Sequence, residues 1–137
     1  MNLEGFQFLR TEDRRRTQQA AAQREPLATL SKGGFLIFNF SASRFLEGYV
    51  AAQVGYNPKE NLLAVIPKRH HHPRLNTVKL SRMGPNKRSR SISFKFFSKE
   101  WGIAMDGSAH PVRWDPNTEV MIINLNETRS VYKRKTT

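Results

Sequence analysis

The stretch ATLSKGGFLIFNFSASRFL, residues 28–46, places a Lys-Gly-Gly turn between two apolar segments. Two adjacent glycines, Gly33 and Gly34, can supply the positive φ angles that tight hairpin turns need. The flanking segments, residues 28–31 and 35–40, are therefore predicted to form the two strands of a β-hairpin. This hairpin is the first element of the predicted fold.

A short helix and a second pair of strands are predicted after the hairpin. Residues 41–47 form the helix, with Ser41 as a candidate N-cap and Gly48 as the residue that ends it. Residues 50–56 and 62–67 then form strands joined by a Tyr-Asn-Pro turn, in which the Asn side chain bonds the backbone and Pro presets φ. The first unit is therefore ββ-α-ββ.

The same unit is present a second time. Three pairs of similar positions are each separated by 54 residues: Phe38 and Ile92, Phe40 and Phe94, Gly48 and Gly102. The second copy predicts strands at 77–83 and 90–97, a helix at 98–101 with Ser98 as a candidate cap, and a last strand pair around a Trp-Asp-Pro turn. We therefore predict a mainly β, α+β protein in which two tandem ββ-α-ββ units form a small β-barrel.

Length and composition indicate one domain with a polar extension at each end. The chain has 137 residues, of which 38% are hydrophobic, enough for one modest core. We place the domain at residues 27–125, with repeats at 27–68 and 76–125. A basic arm at 1–26 precedes it, and a basic tail at 126–137 follows it.

The composition also excludes several classes of protein. The chain has no cysteine, so it has neither a disulfide framework nor a thiolate metal site. Its apolar segments are far shorter than the ~20 residues of a membrane span, and the N-terminus lacks a signal-peptide core. We expect no membrane partner and a cytoplasmic protein, nucleoid-associated if it is bacterial.

Positive charge is concentrated in the middle of the chain. Residues 61–99 contain ten Lys or Arg and no Asp or Glu, in a protein whose net charge is +12. Like charges at this density repel one another, and a polyanion relieves that repulsion. Nucleic acid is the expected partner, because each cation that contacts a phosphate releases a condensed counterion.

The first unit resembles the AbrB-type swapped-hairpin family. Members of that family begin with a strand ending in Lys-Gly, return on an apolar strand, enter a short helix and close with two strands. Lys32-Gly33 matches the turn, residues 35–38 the return strand and residues 41–48 the helix. Two units in tandem are similar to the MraZ group, although Asn39 stands where the family usually has Pro at the helix start.

The resemblance implies a swapped-hairpin-like, intertwined β-barrel that binds duplex DNA through basic residues on its hairpins. Carried over by position, it points to Lys32 in the first hairpin and to Lys87, Arg88 and Arg90 in the second. It also makes a homo-oligomer possible. With the other cations of the basic segment, the predicted nucleic-acid-binding residues are Lys32, Lys68, Arg69, Arg74, Lys79, Arg82, Lys87, Arg88, Arg90 and Lys95.

The turn at residues 84–91 is the favoured contact, because Lys, Arg and Ser are frequent phosphate partners. The run of three histidines at 70–72 has three interpretations: a linker, a phosphate-contacting loop, or a metal site. A metal site is disfavoured, because neighbouring residues of an extended chain point in alternate directions and no Cys, Asp or Glu lies nearby. We expect no metal and no cofactor.

Two other functions remain open. Residues 84–101 also look similar to the whirly-type fold of single-stranded DNA or RNA binders, and Phe97 is the candidate for an exposed stacking ring. The second alternative is a basic adaptor or inhibitor subunit that docks on an acidic protein machine. Enzymatic activity is not expected, because the acidic residues are scattered and no nucleophile or phosphate-loop motif is present.

Overall fold

The computed structural model describes residues 24–72, 76–84 and 87–129. Most of the predicted N-terminal arm, most of the tail and the candidate Arg74 lie outside the described residues. Within them, the strands are β1 (Leu27–Leu30), β2 (Phe35–Phe38), β3 (Ala51–Asn57), β4 (Leu62–Lys68), β5 (Thr77–Lys79), β6 (Ser81–Met83), β7 (Ser89–Ser93), β8 (Ala109–Asp115) and β9 (Val120–Asn124). The helices are α1 (Phe40–Ser43), continued by a 3-10 turn (Arg44–Leu46), and α2 (Lys95–Trp101).

All the strands belong to one antiparallel sheet in the order β5-β3-β4-β9-β8-β1-β2-β7-β6. The two outermost strands, β5 and β6, are consecutive in the chain and separated by Leu80. The Leu80 N–H donates to the Val50 carbonyl at 2.9 Å. β5 pairs with β3 at one end of the sheet, and β6 pairs with β7 at the other end. Because β5 and β6 are consecutive, the segment at residues 77–83 brings the two ends of the sheet together. The predicted small, mainly β, barrel-like α+β fold is confirmed.

The two repeats exchange strands. The first strand of repeat one, β1, pairs with β8 of repeat two, and β5 of repeat two pairs with β3 of repeat one. The equivalent strands β2 and β7 pair with each other, as do β4 and β9. Each hairpin therefore packs beside the other repeat, and neither repeat completes its sheet alone.

The core lies inside the barrel and follows the two-residue period of the strands. Alternate residues are buried along β4 and β9, including Leu63, Val65, Met121 and Ile123. Full burial of such a side chain contributes roughly 1.5–3 kcal/mol to folding. The repeat-equivalent residues Phe38 and Ile92 are both fully buried and lie on the paired central strands.

The turn predictions are confirmed where side chains bond the backbone. The Asn57 Oδ1 accepts from the Lys59 N–H at 3.1 Å, and the Asp115 Oδ1 accepts from the Asn117 N–H at 2.9 Å. In the first hairpin, only the second glycine is left-handed, since Gly34 has φ 94° and Gly33 has no positive φ. These local bonds end β3 at Asn57 and β8 at Asp115.

The predicted start of α1 was wrong. Asn39 caps this helix, because its Oδ1 accepts from the Ala42 N–H at 2.9 Å. The same oxygen accepts from the Leu27 N–H at 3.1 Å, which fixes the helix start against β1. Ser41, the predicted cap, is instead a buried residue within the helix.

The second helix also begins earlier than predicted, and the strand before it is shorter. β7 ends at Ser93, and residues 94–97 of the predicted strand lie at the start of α2. Ser98 is inside the helix, and its hydroxyl donates to the Ile103 carbonyl at 2.7 Å. Gly102 ends the helix in the left-handed conformation, as predicted, with φ 64°. In the described residues, neither helix is long and apolar enough to cross a membrane.

Candidate nucleic-acid interface

The hairpin turns of the two repeats lie at opposite ends of the central β2–β7 pair, because these strands are antiparallel. The first turn lies beside α2 of the other repeat, where the Gly34 carbonyl accepts from the Phe94 N–H at 2.9 Å. The second turn lies beside α1, where the Arg88 guanidinium is 5.8 Å from the Phe40 ring. Strand exchange thus combines each turn with the helix of the opposite repeat.

The second turn and α1 form the "cationic end", which we define as Arg44, Arg82, Lys87, Arg88 and Phe40. The Lys87 N–H donates to the Gly84 carbonyl at 3.0 Å, which closes the turn and presents its basic side chains. All four cations are exposed. They line a cavity of about 330 Å³ together with Phe40, Ser43, Glu47 and Arg90.

Among the described residues, no carboxylate forms an ion pair with these cations. In the described part of the chain, ion pairs join Arg129 to Glu25 at 2.9 Å and to Glu127 at 3.3 Å, and none involves the cationic end. Glu47 lines the same cavity without forming an ion pair. The cationic end therefore presents an excess of positive charge to solvent.

Arg90 differs from the other predicted contacts, because its side chain is only 5% exposed. Its guanidinium donates to the Leu46 carbonyl at 3.2 Å and to the Tyr49 carbonyl at 2.9 Å. Burial, and then the charge of Arg82, lower the pKa of the Arg90 guanidinium. Arg90, predicted as an exposed hairpin contact, is therefore buried: it binds the carbonyls at the end of the 3-10 turn and lines the cavity.

A second basic group, Lys68, Arg69 and Lys79, lies near the loop at residues 46–49, whose carbonyls Arg90 binds. Lys68 and Lys79 both align with Ala51, one from each neighbouring strand. Arg69 places its guanidinium 4.7 Å from the Tyr49 ring. Since the Tyr49 carbonyl also binds Arg90, this group is connected to the cationic end by one short loop.

The first turn and α2 form the "aromatic end", which we define as Lys32, Phe35, Lys95 and Phe96. Phe96 is 69% exposed and Phe35 is 41% exposed. Phe97, the candidate for an exposed stacking ring, is not the exposed ring of this end. Phe97 is half-buried and stacks on Trp101 at 5.1 Å, and Phe96 meets its edge at 5.7 Å. The cause is the helix, which replaces the alternation of a strand and turns Phe96 outward.

The histidine loop is tied to the start of β5. The Thr77 hydroxyl accepts from the His72 N–H at 2.8 Å and lies 3.1 Å from the His71 ring. The His70 and His72 rings are 6.2 Å apart. In the described residues, no group of three or more His, Asp or Glu could hold a metal ion.

A buried histidine anchors the chain after β9. The His110 ring lies 2.7 Å from the Ser108 hydroxyl and 2.7 Å from the Glu127 carbonyl. The neighbouring Asp106 accepts from the Ser108 N–H at 3.0 Å. Hydrogen bonds from the Ser108 side chain and backbone lower the pKa of the Asp106 carboxyl. This segment lies near the first turn, where Lys32 approaches Gly107.

The structure thus divides the predicted residues into separate groups. It brings together Arg82, Lys87 and Arg88 at the cationic end, with Lys68, Arg69 and Lys79 across the adjoining loop. Lys32 and Lys95 lie at the other end of the β2–β7 pair. Arg44 was missed, although strand exchange between the repeats would have placed the first helix beside the second turn.

Comparison of the chain with protein-family models, curated proteins and solved structures found no match.

Proposed function

We propose that this protein binds nucleic acid, with DNA favoured over RNA, as a transcriptional regulator or a nucleoid-type binder. The observation that carries the proposal is the cationic end, where four exposed basic side chains from a helix, a strand and a turn converge and form no ion pair with a carboxylate of the described residues. A phosphate backbone supplies the missing negative charge. A cytoplasmic or nucleoid location accords with this function.

The chemistry of the cationic end suits phosphate contacts. Three of its cations are arginines, whose planar guanidinium donates two parallel hydrogen bonds to phosphate oxygens. Lys68, Arg69 and Lys79 extend the surface beyond the loop that Arg90 holds. With the four cations of the cationic end they make seven, a number within the range of six to ten phosphate contacts of strongly salt-dependent DNA binders.

Single-stranded nucleic acid is the second candidate ligand, and the aromatic end favours it. The exposed Phe96 ring lies between Lys95 and Lys99 in sequence, on a helix packed through Phe97 and Trp101. Aromatic rings flanked by cations stack with the unpaired bases of a single strand. The two ends of the β2–β7 pair therefore favour different ligands, duplex at the cationic end and single strand at the aromatic end.

A salt titration tests the proposal. Nuclease-treated protein is added to a labelled duplex and to an oligothymidine of equal length, at about 50 and 200 mM salt. Duplex affinity is expected to fall ~10³–10⁵-fold between these concentrations, because bound cations release counterions. Tighter binding to oligothymidine would assign the single strand as ligand. No binding to either, together with an acidic protein that co-purifies after nuclease treatment, would contradict the proposal and favour an adaptor.

A further inference from the structure

We propose that the cavity of the cationic end binds a phosphate monoester, the dianionic phosphate at the end of a nucleic-acid strand or on a free nucleotide. This inference rests on the nucleic-acid binding proposed above and goes beyond it, because it assigns a separate ligand group to one recessed site. Three features of the cavity support it: its shape, its charge and the pairing of two arginines across adjacent strands.

The shape of the cavity favours a group that protrudes from the nucleic acid. The site is a hollow of about 330 Å³ between α1, β6 and the second turn. A phosphodiester inside a duplex lies on a convex surface with a sugar on each side, so it reaches exposed cations more easily than the floor of a hollow. A terminal phosphate projects from the strand and can enter.

The charge of the cavity favours a dianion. A phosphate monoester carries about −1.5 to −2 charges at neutral pH and presents three acceptor oxygens, against one charge on a diester. Arg44, Arg82 and Arg88 approach the cavity from the helix, the strand and the turn, so they can bond different oxygens of one phosphate. Arg88 also lies against the Phe40 ring, which restricts the orientation of its guanidinium.

Two arginines face each other at the cavity wall. The β6–β7 pairing places Arg82 directly opposite Arg90, and like charges at opposed positions of a sheet are destabilising. Arg90 cannot turn away, because it is buried and donates to two backbone carbonyls. Its Nε is buried without a hydrogen-bond partner among the described residues. A dianion in the cavity offsets the repulsion between the two guanidinium groups.

Glu47 provides a test within the same site. Glu47 lines the cavity, and its negative charge opposes the entry of an anion. Its side chain is exposed and forms no ion pair in the described structure, so Glu47→Gln should fold normally. Removing this charge should tighten binding of a phosphate monoester more than it tightens binding of an oligonucleotide with a terminal hydroxyl.

The experiment compares one oligonucleotide carrying a 5′-phosphate, a 3′-phosphate or hydroxyls at both ends. A nucleoside monophosphate and its nucleoside serve as the free-nucleotide arm. A terminal phosphate is expected to tighten binding about tenfold, the effect of one additional charge-assisted hydrogen bond. Glu47→Gln should enlarge that factor, and the double variant Arg44→Gln, Arg82→Gln should abolish it.

The matched control is Lys59→Gln, Arg113→Gln, which removes the same charge from exposed residues that do not line the cavity. This control should weaken the binding of all oligonucleotides equally and preserve the tightening that a terminal phosphate produces. Equal affinity for phosphorylated and unphosphorylated strands would overturn the inference and leave the proposed function standing. Binding of the monophosphate without binding of any oligonucleotide would support the cavity and contradict the proposed function.

Discussion

The cationic end and the aromatic end occupy equivalent places in the two repeats, yet they carry different chemistry. Each combines a hairpin turn of one repeat with the helix of the other. At the cationic end, arginines surround a cavity, whereas the aromatic end exposes two phenylalanines beside lysines. Equivalent strand positions such as Phe38 and Ile92 are buried in both repeats, whereas the turns and helices carry different side chains.

This difference shows how a duplicated fold can acquire two surfaces. Exchange of strands buries equivalent residues, such as Phe38 and Ile92, at the centre of one shared barrel. Exposed side chains on the turns and helices are outside that constraint, so each end can change its surface without disturbing the core. Separate substitutions at the two ends should therefore have separate effects on ligands.

The largest expected effect comes from neutralising the cationic end. Arg82→Gln, Lys87→Gln and Arg88→Gln together should weaken duplex binding about 100-fold at low salt, because three contacts of ~1 kcal/mol each are lost. Fluorescence anisotropy measures the change. The matched variant, Lys32→Gln, Lys95→Gln and Lys99→Gln, removes the same charge around the aromatic end. If this second variant loses more duplex affinity, the assignment of the two ends is reversed.

The next effect concerns the stability of the cationic end rather than its affinity. Arg90→Met should lower the free energy of unfolding by roughly 2 kcal/mol, because the Leu46 and Tyr49 carbonyls lose buried hydrogen bonds. Denaturant unfolding followed by circular dichroism measures it. The control is Arg82→Met on the facing strand, which is exposed and should change stability by less than about 0.5 kcal/mol. Equal effects of the two substitutions would show that Arg90 has no structural role.

A smaller effect is expected at the aromatic end. Phe96→Ala should weaken binding of oligothymidine about fivefold to tenfold and leave duplex binding unchanged, because a base stacked on one exposed ring contributes ~1 kcal/mol, the low end of the range for such stacking. The matched control is Val50→Ala, which truncates another exposed apolar side chain away from the aromatic end. A loss of duplex affinity in Phe96→Ala would contradict the division of ligands between the two ends.

The smallest expected effect is a loss of folding stability at acid pH, caused by Asp106 in the segment beside the first turn. Ser108 hydrogen bonds lower the pKa of Asp106 below its ordinary value of 3.8, so the ionised carboxylate stabilises the fold above that pH. The contribution is lost as pH falls through the lowered pKa. Thermal unfolding between about pH 5 and pH 2 should show a slightly steeper loss for the wild type than for Asp106→Asn. Identical profiles would show that Asp106 makes no such contribution.

Much of the arrangement of strands and turns is predictable from local chemistry. Gly34 in the first turn and the Asx turns at Asn57 and Asp115 follow from residues whose bonds lie within a few positions. The spacing of 54 residues that separates Phe38 from Ile92 recurs at other positions and indicates the duplication. In the structure, the equivalent strands β2 and β7 pair with each other. The mainly β barrel follows from these signals.

The start of α2 was missed because no capping side chain precedes it. Phe94 is the N-cap position and has no side chain able to accept a backbone hydrogen bond. The spacing of Phe94, Phe97 and Trp101 is nevertheless three and four residues, which is typical of a helix rather than a strand. That spacing could have identified Phe96 as the outward ring.

The burial of Arg90 could not be predicted locally. Its partners, the Leu46 and Tyr49 carbonyls, lie 44 and 41 residues earlier in the chain and reach it only through strand exchange. The same exchange brings Arg44 to the second turn. Sequence patterns are therefore least informative for side chains, such as Arg90 and Arg44, whose neighbours in the fold belong to the other repeat.

The central claim is that the cationic end binds phosphates, and its most direct test is the slope of log affinity against log salt for a duplex. Each phosphate contact contributes about 0.9 to that slope, so neutralising Arg82, Lys87 and Arg88 should reduce it by about 2.7 relative to wild type. Neutralising Lys32, Lys95 and Lys99 should reduce it by less. An unchanged slope in the first variant would contradict the claim, because the three side chains would then contact no phosphate.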